Sequence, residues 1–141
     1  MALIPVSAYD YKTAIVAARV QGAATAANSA FIGDARGFAS VVGAADGTLT
    51  VTLSAESLVK LAEIIPLSAQ CETSGTLTAN GSTGRTPRLA VESVNQTTGV
   101  IVYRLLLTVA AASSVANDGF VDLADADIYS FSLLLRYTQD K

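Results

Sequence analysis

The feature that most constrains this chain is the stretch at residues 100–110, VIVYRLLLTVA. Its odd positions are Ile101, Tyr103, Leu105, Leu107 and Val109, all apolar. Its even positions are Val100, Val102, Arg104, Leu106 and Thr108, a mixed set. Strict alternation with β-branched and aromatic residues predicts a strand with one face in a core. The even face is too apolar around Arg104 for open water, so a further covering layer is expected.

Residues 128–138, IYSFSLLLRYT, repeat the design. Tyr129, Phe131, Leu133, Leu135 and Tyr137 form an apolar face, and Arg136 sits in a mixed one. If the two strands pair or stack, Arg104 and Arg136 are expected to project to one side. Burying such side chains contributes about 1.5–3 kcal/mol each before entropy is counted. That suffices to define the core of one small domain of 141 residues.

Asp46-Gly47 is a turn signal, and residues 48–53, TLTVTL, alternate as a strand. Ser54 then caps a predicted helix over residues 54–65. Glu56 lies in its first turn, Leu58, Leu61, Ala62 and Ile65 form an apolar stripe, and Pro66 stops it. Residues 67–79 read as one or two strands. Residues 88–95 read as a strand that Gln96-Thr97-Thr98-Gly99 turns into an antiparallel hairpin with the strand at 100–110. Residues 12–20, KTAIVAARV, fit either period, and the strand reading is preferred.

Residues 1–11 read as an extended arm in which Tyr9 and Tyr11 are anchors. Residues 21–46 form an Ala/Gly-rich stretch around Phe31 and Phe38. It is too apolar for a solvated linker and too small-residued for a core. Two readings stay open: a loop across a neighbouring subunit, or a cover on its own domain. The predicted organisation is therefore 1–46 as arm and loop and 47–141 as a β domain. The predicted fold is mainly β: a small antiparallel β-sandwich or partial barrel with one short helix and an extended N-terminal arm.

Hydrophobic residues make up 51% of the chain and charged residues 15%, against about 25% charged in an average soluble domain. Such thin ionic cover points to a subunit of an assembly, a homo-oligomer included. Arg104 and Arg136 join Tyr9, Tyr11, Phe31 and Phe38 as candidate interface residues, because Arg suits desolvated ion pairs. The net charge of −3, with nine scattered basic residues, argues against a nucleic-acid partner. No run of apolar residues is long enough for a membrane span. A secretory leader is not visible, and the single Cys71 forms no intrachain disulfide and fits synthesis in a reducing compartment. Asn80-Gly81-Ser82 and Asn95-Gln96-Thr97 therefore read as turn chemistry.

Asp122, Asp125 and Asp127 form the one acidic cluster of note and are calcium candidates. EF-hand spacing is absent, and an acidic loop that keeps a sheet edge soluble explains them as well. Gly81-Ser82-Thr83-Gly84-Arg85 lacks the phosphate-loop frame. The chain has no His and no Trp. That removes the commonest general base and the usual platform for sugars, so neither an enzyme nor a cofactor is expected.

The opening MALIPVSAYDYK, the stretch ATAANSAFIGDARGFASVVGAADG and the closing IYSFSLLLRYT together resemble, in overall style, a small structural protein of a tailed-bacteriophage virion. The type is that of capsid decoration, or cement, proteins. The resemblance carries no site residue over. It implies a virion subunit made in the host cytoplasm, a dimer or trimer bound to other virion proteins, the major capsid protein above all. A self-assembling coat or tail-tube subunit, and a carbohydrate- or receptor-binding module on a phage tail, are the alternatives.

Overall fold

The computed structural model describes residues 11–22, 29–43, 47–73, 85–109, 119–120 and 128–138. The elements are β1 (Tyr11–Gln21), β2 (Ala30–Ile32), β3 (Phe38–Gly43), β4 (Thr48–Leu53), α1 (Ala55–Leu58), β5 (Leu61–Thr73), β6 (Arg85–Asn95), β7 (Val100–Val109), β8 (Gly119–Phe120) and β9 (Ile128–Thr138). They form a sandwich of two antiparallel sheets. Sheet A has the order β2-β1-β9-β5 and sheet B the order β3-β4-β7-β6, with β8 pairing further along β7.

The two strands with the cleanest alternation take the central places. β9 lies between β1 and β5, and β7 between β4 and β6. Their odd faces meet. Ile101, Tyr103 and Leu105 from one sheet and Tyr129, Phe131, Leu133 and Leu135 from the other are buried. The Tyr103 and Phe131 rings lie 5.0 Å apart, so β7 and β9 stack rather than pair. A period of two then sends the even residues outward from both sheets. Arg104 and Arg136 consequently stand on opposite outer faces of the sandwich, not on one side as the sequence led us to expect.

The hairpin of β6 and β7 forms with the anticipated turn. Asn95 Oδ1 accepts from the backbone N–H groups of Thr97 and Thr98, the local bond that makes Asn a turn residue. Gly99 closes the turn at φ +69°. A Cβ there would stand 2.5 Å from Leu58 Cδ2, so only glycine fits.

The helix is much shorter than predicted. α1 is one turn, capped by Ser54, whose Oγ accepts from the Ser57 N–H. Lys60 turns the chain at φ +59°, and residues 61–65 leave as the first part of β5. Pairing decides this. As a strand the segment hydrogen-bonds to β9 and places Ile64 in the core at 2% exposure. An isolated helix of three turns has no comparable partner, so tertiary pairing overrides a helical stripe. Pro66 does not stop an element. It sits inside β5, which is an edge strand, beside a register shift at Pro66/Ser68.

The strand preferred over residues 12–20 is β1, while residues 30–43, read from sequence as loop, supply β2 and β3 within the region assigned to arm and loop. β1 pairs with β9 along its whole length, from Tyr11 opposite Thr138 to Gln21 opposite Ile128. Both sheets thus draw on both sides of residue 46.

Candidate functional site

Phe31 and Phe38 are half-buried against the sandwich's own core. Their rings lie 5.8 Å apart, and Phe38 meets Phe131 edge-on at 5.5 Å. The structure therefore gives this pair a place inside the monomer. Cys71 also packs against the core, opposite Tyr129. Tyr9, Asp122, Asp125 and Asp127 lie outside the described residues, as does the loop at 81–84, and the side chain of Tyr11 is likewise not described. Among the described residues no three carboxylates or thiols converge on a metal position. No helix among them is long and apolar enough to cross a membrane.

Among the described residues, the broad surfaces are the two outer sheet faces. On sheet B, Arg104 grips Glu92 of the neighbouring strand in a two-pronged bond, Nε to Oε2 at 3.0 Å and Nη2 to Oε1 at 2.7 Å. This fork geometry is what guanidinium and carboxylate favour. Around it lie Val100, Val102 and Leu106 of β7, with Thr48, Thr50 and Thr52 on β4, all half-buried. Val42 opposite Thr50 is 43% exposed. The surface is rich in β-branched side chains, and among the described elements no third layer covers it.

On sheet A the register sorts the outward residues into rows across the strands. Arg136 lies between Thr13 and Glu63, and its Nη1 reaches Glu63 Oε2 at 2.7 Å. The next row is apolar: Leu134 between Ile15 and Ile65. Ile15 is 69% exposed, and Leu67, at the nearby bulge, 51%. Then come Ala17, Ser132 and Ser68, with the two hydroxyls 2.6 Å apart. These small residues leave a shallow hollow of about 400 Å³, rimmed by Ile32 and Asp34. Beyond it Arg19, from β1, joins Glu72, from β5, over Ser130 of β9, with Nη2 to Oε2 at 2.6 Å. Hydrogen bonding from the Arg19 guanidinium holds the Glu72 carboxyl below its ordinary range.

One edge of sheet A is closed by a side chain that the sequence did not single out. Gln96, in the β6–β7 turn, accepts from the Ile64 N–H at 2.6 Å and donates to the Ile64 carbonyl at 3.1 Å. It stands where another strand would pair with β5, and ties the two sheets together. Its position directly after Asn95 in the turn was the only signal available.

At one end of the sandwich, Ser57 Oγ donates to the Gly37 carbonyl at 2.9 Å, and the Tyr137 hydroxyl donates to the Ser57 carbonyl at 2.8 Å. Burial raises the Tyr137 pKa. These contacts are structural, and they fix α1 against both sheets.

Comparison of the chain with protein-family models, with curated proteins and with solved structures finds no match. The fold and surface define a class, the antiparallel β-sandwich with two broad outer faces, and the functional reading rests on those faces.

Proposed function

We propose that the chain is a non-enzymatic structural subunit of a tailed-bacteriophage particle, one that binds and stabilises a capsid lattice. The observation that carries this reading is the apolar row on the outside of sheet A, where Ile15 stands 69% exposed beside Leu134, Ile65 and Leu67. A lone domain with 15% charged residues gains nothing from displaying that row to water. A subunit buries it, and the burial of about 25 cal/mol per Å2 of apolar surface becomes binding energy once the ordering of both partners is met. The Val- and Thr-rich outside of sheet B offers a second such surface, as a subunit touching more than one neighbour requires.

The ion pairs Arg19–Glu72, Arg104–Glu92 and Arg136–Glu63 hold the long charged side chains of these faces in defined positions. That favours register over raw affinity. The test is quantitative mass spectrometry of purified particles of the encoding phage. A constant copy number per particle, retained through density-gradient purification, is the expected result. Complete particles that lack the chain would refute the reading.

A further inference from the structure

Resting on the reading of this chain as a subunit that works by assembly, we infer that the outer face of sheet A docks a second copy of the same chain about a two-fold axis running along β9. Charge placement carries the argument. In both ion pairs of this face the anion comes from β5, and the cation comes from β9 or β1. A half-turn about an in-plane axis along β9 keeps each row opposite itself and exchanges the β1 and β5 sides. Arg19 then faces Glu72 of the second copy, and Glu72 faces that copy's Arg19. Four charges alternate in sign around the axis. Arg136 lies on β9 itself and meets Arg136 of the second copy, each still held by its own Glu63 at 2.7 Å, so the Arg19–Glu72 row supplies the complementary charge.

Shape agrees with charge. The apolar row maps onto itself, Leu134 on Leu134, with Ile15 over Ile65. Leu67 projects at β5, and the hollow, with Ser68 at its β5 rim, extends past Ala17 to Ile32 and Asp34 on the β1 side of β9. The same half-turn sets each copy's Leu67 over the other's hollow. Such reciprocal contact is what an isologous interface needs.

Area is adequate as well. β1, β9 and β5 contain 11, 11 and 13 residues. With strands about 4.8 Å apart and a rise of about 3.4 Å per residue, sheet A presents about 500–650 Å2 per copy. Two faces give about 1,000–1,300 Å2, the lower range of specific interfaces.

The test is size-exclusion chromatography with light scattering on the recombinant chain at about 100 µM, a concentration suited to a micromolar dimer. The expected mass is twice the 14.4 kDa of one chain. Arg19→Glu and Glu72→Arg each place like charges across the axis and give monomers. Mixed in equal amounts they restore the dimer, because the charges then oppose between copies although they still clash within each chain. Ile15→Lys, at an exposed side chain, gives a monomer whose melting curve matches that of the wild type diluted below its dissociation constant, and serves if the charge reversals unfold the chain. A monomeric wild type overturns the inference. So does an oligomer that survives Ile15→Lys, or a mixture of folded reversal variants that stays monomeric. A monomer still found in particles removes only the two-fold docking, whereas a dimer missing from particles removes only the virion role.

Discussion

Replacing Gln96 tests whether one side chain latches the two sheets. Its amide satisfies both backbone groups of Ile64 at once, and only a group that accepts and donates can do so. Gln96→Ala loses both bonds and leaves a partly buried N–H and C=O to compete for water. At about 0.5–1.5 kcal/mol net per bond, the loss is about 1–3 kcal/mol. For a chain of this size, at about 3 °C per kcal/mol, that lowers the melting temperature by about 3–10 °C. Gln96→Glu separates the two bonds. The carboxylate still accepts from the Ile64 N–H but opposes the Ile64 carbonyl, whereas the protonated acid donates to it. The native state thus favours the protonated form and raises this carboxyl's pKa. The regained stability is fully present below the unfolded value of about 4.3 and is lost as pH rises through the folded one. Urea denaturation of wild type and both variants at acid and neutral pH reads this directly. A Gln96→Ala variant within about 0.5 kcal/mol of wild type, or a Gln96→Glu variant with the wild-type pH profile, would show that water replaces the latch without loss.

Three further outcomes follow from the same geometry. Gly99→Ala should lower stability by about 2–4 kcal/mol in chemical denaturation, through its φ of +69° and the contact with Leu58 Cδ2. Tyr103→Phe should raise stability by about 1 kcal/mol, because the Tyr103 hydroxyl is buried with no hydrogen-bond partner among the described residues. Burial also pushes the Tyr103 pKa up from its ordinary 10.0, so above that value the unfolded chain ionises first and the folded state loses stability as pH rises. Melting curves between neutral pH and strong alkali should therefore fall less steeply for Tyr103→Phe than for wild type.

Much of the sandwich is legible in two short strings. Alternation in residues 100–109 and 128–138 carries the central strands because the odd residues 101–105 and 129–135 are buried and the period of two admits no other element. The β6–β7 hairpin is legible through its turn residues. The segment 61–65 is not, since Leu58, Leu61, Ala62 and Ile65 satisfy a helical stripe. Only the distant β9, which pairs with β5, decides the matter. β3 and β2 were hidden by glycine and alanine, whose strand character comes from neighbours rather than from their own side chains. For the surface, Arg104 and Arg136 were recognisable as outward residues. Their separation by the whole thickness of the sandwich required knowing that the strands stack. The apolar row of sheet A was invisible, because Ile15, Ile65 and Leu134 come together only through register across three strands. Gln96 was hidden for a related reason: its partner lies 32 residues away.

The placement of β9 has a consequence for biogenesis. Sheet A has its middle strand in the last segment of the described sandwich to leave the ribosome, while β1 and β5 emerge well before it. Until then β1 and β5 have nothing between them, whereas β4, β6 and β7 can already close. Long-range closure of this kind is slow, and half-finished sheets are prone to stray pairing. Translation thereby sets a checkpoint. The surface rows on sheet A cannot exist before synthesis has passed residue 138, because each of them runs through β9.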